Sequence, residues 1–194
     1  MKNIYSNIIK LSSKNLIKII KILKKNGIIS LPTETVYGLA GNAYSNIAIK
    51  KIFKVKKRLK KNPLIVHYFD LNHAKKDVVL DQKFYKIYQK FSPGPITFIV
   101  KKKNNSRIRP LTCANLKTVG IRFPKNKIIR KVLKELSFPL AMPSANKSMS
   151  ISPIKPLDVY KEFNNKIKVV DGGISKIGIE STVLNLVGKE SILR

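Results

Sequence analysis

The chain of 194 residues has one cysteine, Cys113, two histidines, no tryptophan and only ten acidic residues. One cysteine excludes an intramolecular disulfide. His67 and His73 are too few and too poorly spaced to build a structural metal cage. No apolar run approaches the ~18 residues that a membrane span needs. The start, Met1-Lys-Asn-Ile-Tyr5, has a lysine but no apolar stretch of the kind a signal peptide carries. A soluble, cytoplasmic protein that makes no membrane contact is therefore expected.

What is present is positive charge. Lys and Arg number 40, and the formal net charge is +30. Hydrophobic residues make up 43% of the chain, which excludes a disordered basic tail because enough apolar surface exists to offset chain entropy. The length fits one domain, residues 1–194. The charge has two readings. It can be a footprint for nucleic acid, through phosphate neutralisation and counterion release. It can also be compositional, since Lys, Ile and Asn dominate the chain in the manner of an AT-rich genome. Only six of the basic residues are arginine: Arg58, Arg107, Arg109, Arg122, Arg130 and Arg194. Against that lysine background an arginine is a candidate for a geometric task, because its planar fork has no lysine equivalent.

Apolar spacing predicts helices over 14–26, Asn46–Lys56, 81–91, Lys127–Leu136 and Pro156–Phe163. Ser12 or Ser13 can cap the first and Gly27 can end it, and the third carries an aromatic face of Phe84, Tyr88 and Phe91. Strands are predicted over Ile28–Leu31, Pro63–Tyr68, Ile96–Val100, Thr118–Phe123, Leu140–Met142, Val169–Val170, Ser181–Leu186 and Ile192–Leu193. Lys101–Arg109 reads as a basic loop and Asp171-Gly-Gly173 as a turn. The elements mix without a strict βαβ rhythm, so the expected fold is α/β, a twisted mixed sheet flanked by helices.

Four segments could carry chemistry. Pro32-Thr-Glu-Thr-Val-Tyr-Gly38 follows a buried strand, where α/β sheets place ligands. Lys54 to Leu64 clusters six basic residues before a strand ending in His67. It can bind a triphosphate or an RNA backbone, or simply be a solvated loop, and it lacks the P-loop pattern. Met142-Pro-Ser-Ala-Asn-Lys-Ser148 offers hydroxyl and amide groups to a nucleotide, without the partners a serine nucleophile needs. Gly178-Ile-Glu-Ser-Thr-Val183 leads hydroxyls into a strand. Each alone also reads as an ordinary polar turn.

Together these segments fall in a telling order. Pro32 to Leu39, Lys56-x-Arg58, Asn62-Pro-Leu-Ile-Val-His67, Ser92-Pro-Gly-Pro-Ile-Thr97, Val119-Gly-Ile-Arg-Phe-Pro124, Pro143-Ser-Ala-Asn146 and Glu180-Ser-Thr-Val183 occur with the order and spacing of the YrdC/TsaC family. The chain resembles its short, single-domain form from about residue 12 onward. That resemblance implies a YrdC-like sheet with a concave, positively charged face. It implies synthesis of L-threonylcarbamoyladenylate, with release of pyrophosphate, from L-threonine, bicarbonate and ATP with Mg²⁺. The product would pass to a tRNA threonylcarbamoyl transferase complex acting on adenosine 37 of tRNAs that read ANN codons. Lys56, Arg58, Asn62, Thr118, Ser144, Ser152 and Arg194 match nucleotide-side positions. Thr35, His67, Arg122, Met142 and Ser181 match positions around threonine. No covalent nucleophile is implied, because both steps need positioning and charge neutralisation. The chain departs from the family pattern at Lys57 and Met149, where glycine is usual, and at Ile154, where threonine is. Two other readings remain: an RNA-binding or ribosome-associated module using the same concavity, with tRNA or double-stranded RNA as partner, and a carbamoyl-adenylate-forming domain of the hydrogenase-maturation type.

Overall fold

A computed structural model describes residues 6–194. Ten strands form one mixed sheet: β1 (Ile8–Lys10), β2 (Ile29–Leu31), β3 (Gly38–Asn42), β4 (Val66–His67), β5 (Ile96–Lys101), β6 (Thr118–Arg122), β7 (Leu140–Ala141), β8 (Val169–Asp171), β9 (Thr182–Asn185) and β10 (Ser191–Ile192). Their order across the sheet is β1-β8-β2-β3-β7-β4-β6-β5-β9-β10. Parallel and antiparallel pairs alternate irregularly. β4 runs parallel to β6, for example, while β5 is antiparallel to β6 and parallel to β9.

The helices are α1 (Ser13–Lys24), α2 (Asn46–Lys56), α3 (Leu71–Ala74), α4 (Gln82–Phe91), α5 (Lys127–Lys134) and α6 (Pro156–Glu162). Side chains alternate across a strand, and the central strands are apolar on both faces. Leu39, Ala141 and Val169 join a core with Ile49, Ile52 and Phe53 of α2 and Phe84 of α4. Their neighbours Ala40, Leu140 and Val170 join a second core with Ile19 and Leu23 of α1 and Ile129 and Val132 of α5. The sheet is thus sandwiched between helices where these two cores lie.

Several sequence expectations shift. Ser12 does cap α1, accepting from the Asn15 amide at 3.2 Å. The left-handed residue after that helix is Asn26 (φ 58°) rather than Gly27. On α4, Phe84 and Tyr88 are buried or half-buried against Phe98 and Phe123, but Phe91 is 56% exposed and leaves the aromatic face. The strand expected over 63–68 pairs as a ladder only at Val66–His67. β3 has no counterpart among the predicted elements; only its first residue, Gly38, falls in one, the turn Pro32–Gly38. Gly38-Leu-Ala-Gly-Asn42 has no β-branched residue, but its small side chains let α2 approach: a Cβ on Gly41 would sit 3.1 Å from Ile52 and 3.3 Å from Ala48. β1, α3 and a single 3₁₀ turn at Pro110–Cys113 also went unanticipated.

Candidate active site

The C-terminal end of β2, the start of β3, and strands β4, β5, β6 and β9 surround a cavity of about 460 Å³. Ten of the twelve residues matched by resemblance line it: Thr35, Arg58, Asn62, His67, Thr118, Arg122, Met142, Ser144, Ser181 and Arg194. Lys56 and Ser152 do not. Residues separated by up to 159 positions converge because β4, β6 and β5 are neighbours and β9 adds beside β5.

One wall is built around Arg122. His67 and Arg122 are register partners on β4 and β6, so both side chains project to the same face. Arg122 is 4% exposed. Its Nη2 donates to Glu34 Oε1 at 2.7 Å, its Nη1 to Thr35 Oγ1 at 2.9 Å, and its Nε to the Gly94 carbonyl at 3.3 Å. Glu34 Oε2 accepts from the amides of Lys125 and Asn126, at 3.0 and 3.1 Å. The Thr33 hydroxyl donates to the Val36 carbonyl, so in the Thr33–Thr35 contact (2.8 Å) it is Thr35 that donates. Thr35 is then left to accept from Arg122. The guanidinium is therefore fixed on three sides and still has two of its five N–H groups to offer a ligand.

His67 is 2% exposed and its Nδ1 has no hydrogen-bond partner. Burial, then the Arg122 charge, hold its pKa well below the ordinary imidazole value. It is a neutral ring in the cavity wall. Across from it, Ser181 is buried and shares a 2.8 Å hydrogen bond with Thr97. Gly38 leaves room for Met142, since a Cβ there would lie 2.5 Å from Met142 Cγ.

The other wall gathers around Glu180, the cavity's one carboxylate. It ion-pairs with Arg194 and accepts from Ser152 Oγ at 2.9 Å. Burial alone would raise its pKa, but Arg194 and the hydroxyls of Ser152 and Ser144 outweigh burial and hold it below the usual carboxylate range. Ser152 thus reaches the cavity through Glu180. Arg58 is braced by the carbonyls of Asn62 (3.1 Å) and Pro63 (3.0 Å).

The resemblance places Lys56 on the nucleotide, and the structure puts its ammonium elsewhere. Lys56 is 1% exposed, and its Nζ donates to the Ser144 carbonyl at 2.5 Å and to the Asn146 carbonyl. It fastens the loop that carries Ser144. Burial, then Arg58, lower its pKa to about 8.

Glu180, Glu34 and Thr97 were not singled out from the sequence as site residues. A usable signal existed for the two acids: with only ten in the chain, each one inside a motif is as conspicuous as an arginine.

The two departures from family glycines have a common cause. Lys57 has φ 51° and Met149 has φ 74°, both in the left-handed region that favours glycine. Met149 is also fully exposed. Met149→Gly is expected to stabilise the fold by about 1 kcal/mol, read as a higher urea midpoint at unchanged m-value; an unchanged midpoint would contradict the strain.

The architecture is that of a mixed α/β protein with an arginine-lined cleft. Comparison narrows the class. The Sua5/YciO/YrdC family model, described as telomere recombination, matches residues 21–194, and the chain belongs to that family. It is 39% identical over 167 residues to the threonylcarbamoyl-AMP synthase of Bacillus subtilis (strain 168), covering 84% of this chain and 48% of that protein. It is 31% identical over 178 residues to the threonylcarbamoyl-AMP synthase of Histophilus somni (strain 129Pt), covering 89% and 94%. Among solved structures, P. abyssi Sua5 complexed with L-threonine superposes with a TM-score of 0.92 at 31% identity, over 96% of this chain and 56% of that one. The chain thus spans about half the length of two of these three relatives. Among the described residues, no helix is long and apolar enough to cross a membrane.

Proposed function

We propose that the cavity synthesises threonylcarbamoyl-AMP from L-threonine, bicarbonate and ATP, as a nucleotidyltransferase. The observation that carries this is the pairing, in one cavity, of a buried, pre-positioned guanidinium (Arg122) with a second cationic wall (Arg58 and Arg194). One suits an amino-acid carboxylate and the other a polyphosphate.

In this reading Arg122 clamps the threonine carboxylate. His67, kept neutral, accepts a hydrogen bond from threonine, and Ser181 and Met142 complete that end. The free amine attacks the carbon of bicarbonate; a C–N bond forms and water leaves, giving a carbamate. A carbamate oxygen then attacks the α-phosphorus, and the bond to the β-phosphate oxygen breaks, releasing pyrophosphate. Arg58, with Asn62, Thr118, Ser144 and Arg194, holds the nucleotide so that attack is in line. Lys56 and Ser152 act as positioning residues, Lys56 through the Ser144 loop and Ser152 through Glu180.

Among the described residues no three His, Cys, Asp or Glu side chains cluster to hold a metal. Mg²⁺ carried on ATP commonly takes one or two carboxylates plus substrate phosphates, and Glu180, released from its ion pair with Arg194, would be the carboxylate to hold it. Bound there, it would neutralise phosphate charge. Delivery of the product to a tRNA-modifying transferase complex, in a cytoplasmic setting, completes the reading.

The test is mass-spectrometric detection of the adenylate after incubation with ATP, bicarbonate, L-threonine and Mg²⁺. The product is expected only when all three substrates are present. No adduct from folded protein would refute the activity.

A further inference from the structure

Five of the six arginines collect at two clefts. Arg58, Arg122 and Arg194 line the cavity described above. Arg107 and Arg109 line a second cleft of about 440 Å³ at the far end of β3, which begins at Gly38 in the first cavity and ends at Asn42 in the second. The sixth, Arg130, stacks on Phe69 at 4.7 Å.

The second cleft is held from beneath. Asp77 is fully buried, and its Oδ2 accepts from the hydroxyls of Tyr44 (2.6 Å) and Tyr68 (2.9 Å). Its Oδ1 accepts from Ser106 Oγ (3.1 Å) and the Arg107 amide (3.0 Å). Ile108 is 2% exposed and the Arg109 amide donates to the Ala43 carbonyl at 3.1 Å, so the segment is pinned at both ends. Because Ile108 points into the core, the arginines on either side of it are exposed. Arg107 lies over the Tyr44 ring at 4.5 Å, and Arg109 Nε donates to the Tyr44 carbonyl at 2.6 Å, leaving both Nη groups free of that bond.

The nearest carboxylate, Asp77, lies buried beneath the cleft, where its oxygens are taken up by hydroxyls and the Arg107 amide. None of the lining residues is acidic, and among the described residues neither arginine makes an ion pair. Asn42, Ser45 and Asn46 supply the remaining polar groups. Two guanidiniums two residues apart, in a concave site with no acidic residue in its lining, match the oxygens of phosphate esters. The net charge of +30 draws polyanions toward the molecule at long range.

We propose that this cleft grips the phosphodiester backbone of a nucleic-acid strand through Arg107 and Arg109. The inference is independent of the synthase reading, because its test reads binding alone. A grip on phosphates reads no bases, so tRNA and DNA of equal length should respond alike.

The experiment compares Arg107→Ala/Arg109→Ala with Lys18→Ala/Lys21→Ala, which removes the same charge from the exposed face of α1. Binding of tRNA and of DNA is titrated across a salt series. For the arginine variant, affinity at physiological salt is expected to fall about tenfold, and the slope of log K against log salt to shrink by nearly 2. The lysine variant should change both much less. Equal effects from the two variants would overturn the proposal, as would an unchanged slope in the arginine variant. A thermal shift with inorganic phosphate is run in parallel. Protection of wild type alone by phosphate, with nucleic-acid binding unaltered, would mark a small-anion site and would also overturn it. Arg107→Gln/Arg109→Gln repeats the comparison if the alanine variant is poorly folded.

Discussion

Arg122→Lys is expected to raise the KM for L-threonine about 100-fold while leaving the KM for ATP within about threefold. Lysine keeps the positive charge facing Glu34 but cannot reproduce three fixed donors with two more to spare. Thr35 and the Gly94 carbonyl each lose a donor, and a carboxylate ligand loses its two-point contact. Arg122→Ala should act first on folding. It strands Glu34, whose side chain is only 11% exposed, with backbone amides alone for compensation. Breaking a buried pair from one side costs about 3–5 kcal/mol. Steady-state kinetics on the lysine variant and urea unfolding of the alanine variant separate the two roles. Equal KM changes for threonine and ATP would contradict the carboxylate assignment.

Lys56→Met carries the second large effect, about 2–4 kcal/mol of stability, because two main-chain carbonyls of the loop that carries Ser144, those of Ser144 and Asn146, lose their donor. Its pH dependence is distinctive. The pKa in the fold, about 8, lies below the ordinary lysine value, so between these limits the unfolded chain binds more protons than the folded one. Stability tied to Lys56 therefore rises with pH through that window. The wild-type advantage over Lys56→Met should grow by about 2 kcal/mol between pH ~7.5 and ~9.5. A constant difference across that range would contradict a buried, destabilised ammonium. A loss of ATP affinity without any loss of stability would return Lys56 to direct contact with the nucleotide.

The sequence made some of this visible and hid the rest for physical reasons. α1, α2 and α5 announce themselves by apolar spacing and caps. β3 does not, because its residues are chosen for thinness against α2 rather than for strand preference. The arginines stand out because lysine fills nearly every other basic position, and three of the six do line the cavity. Lys56 looks identical in sequence to a phosphate ligand. Its partners are main-chain carbonyls 88 and 90 residues away, which no local pattern reports. Ser152 likewise lies one hydrogen bond behind Glu180. The glycine-to-Lys57 and glycine-to-Met149 departures gain meaning only once both backbones are seen in the left-handed region.

The most direct test of one cavity serving both ligands is pyrophosphate release from ATP at fixed bicarbonate, with and without L-threonine. The account predicts release that depends on threonine, saturates with it, and loses that saturation in Arg122→Lys. Release that is absent, or that proceeds equally well without threonine, would contradict it.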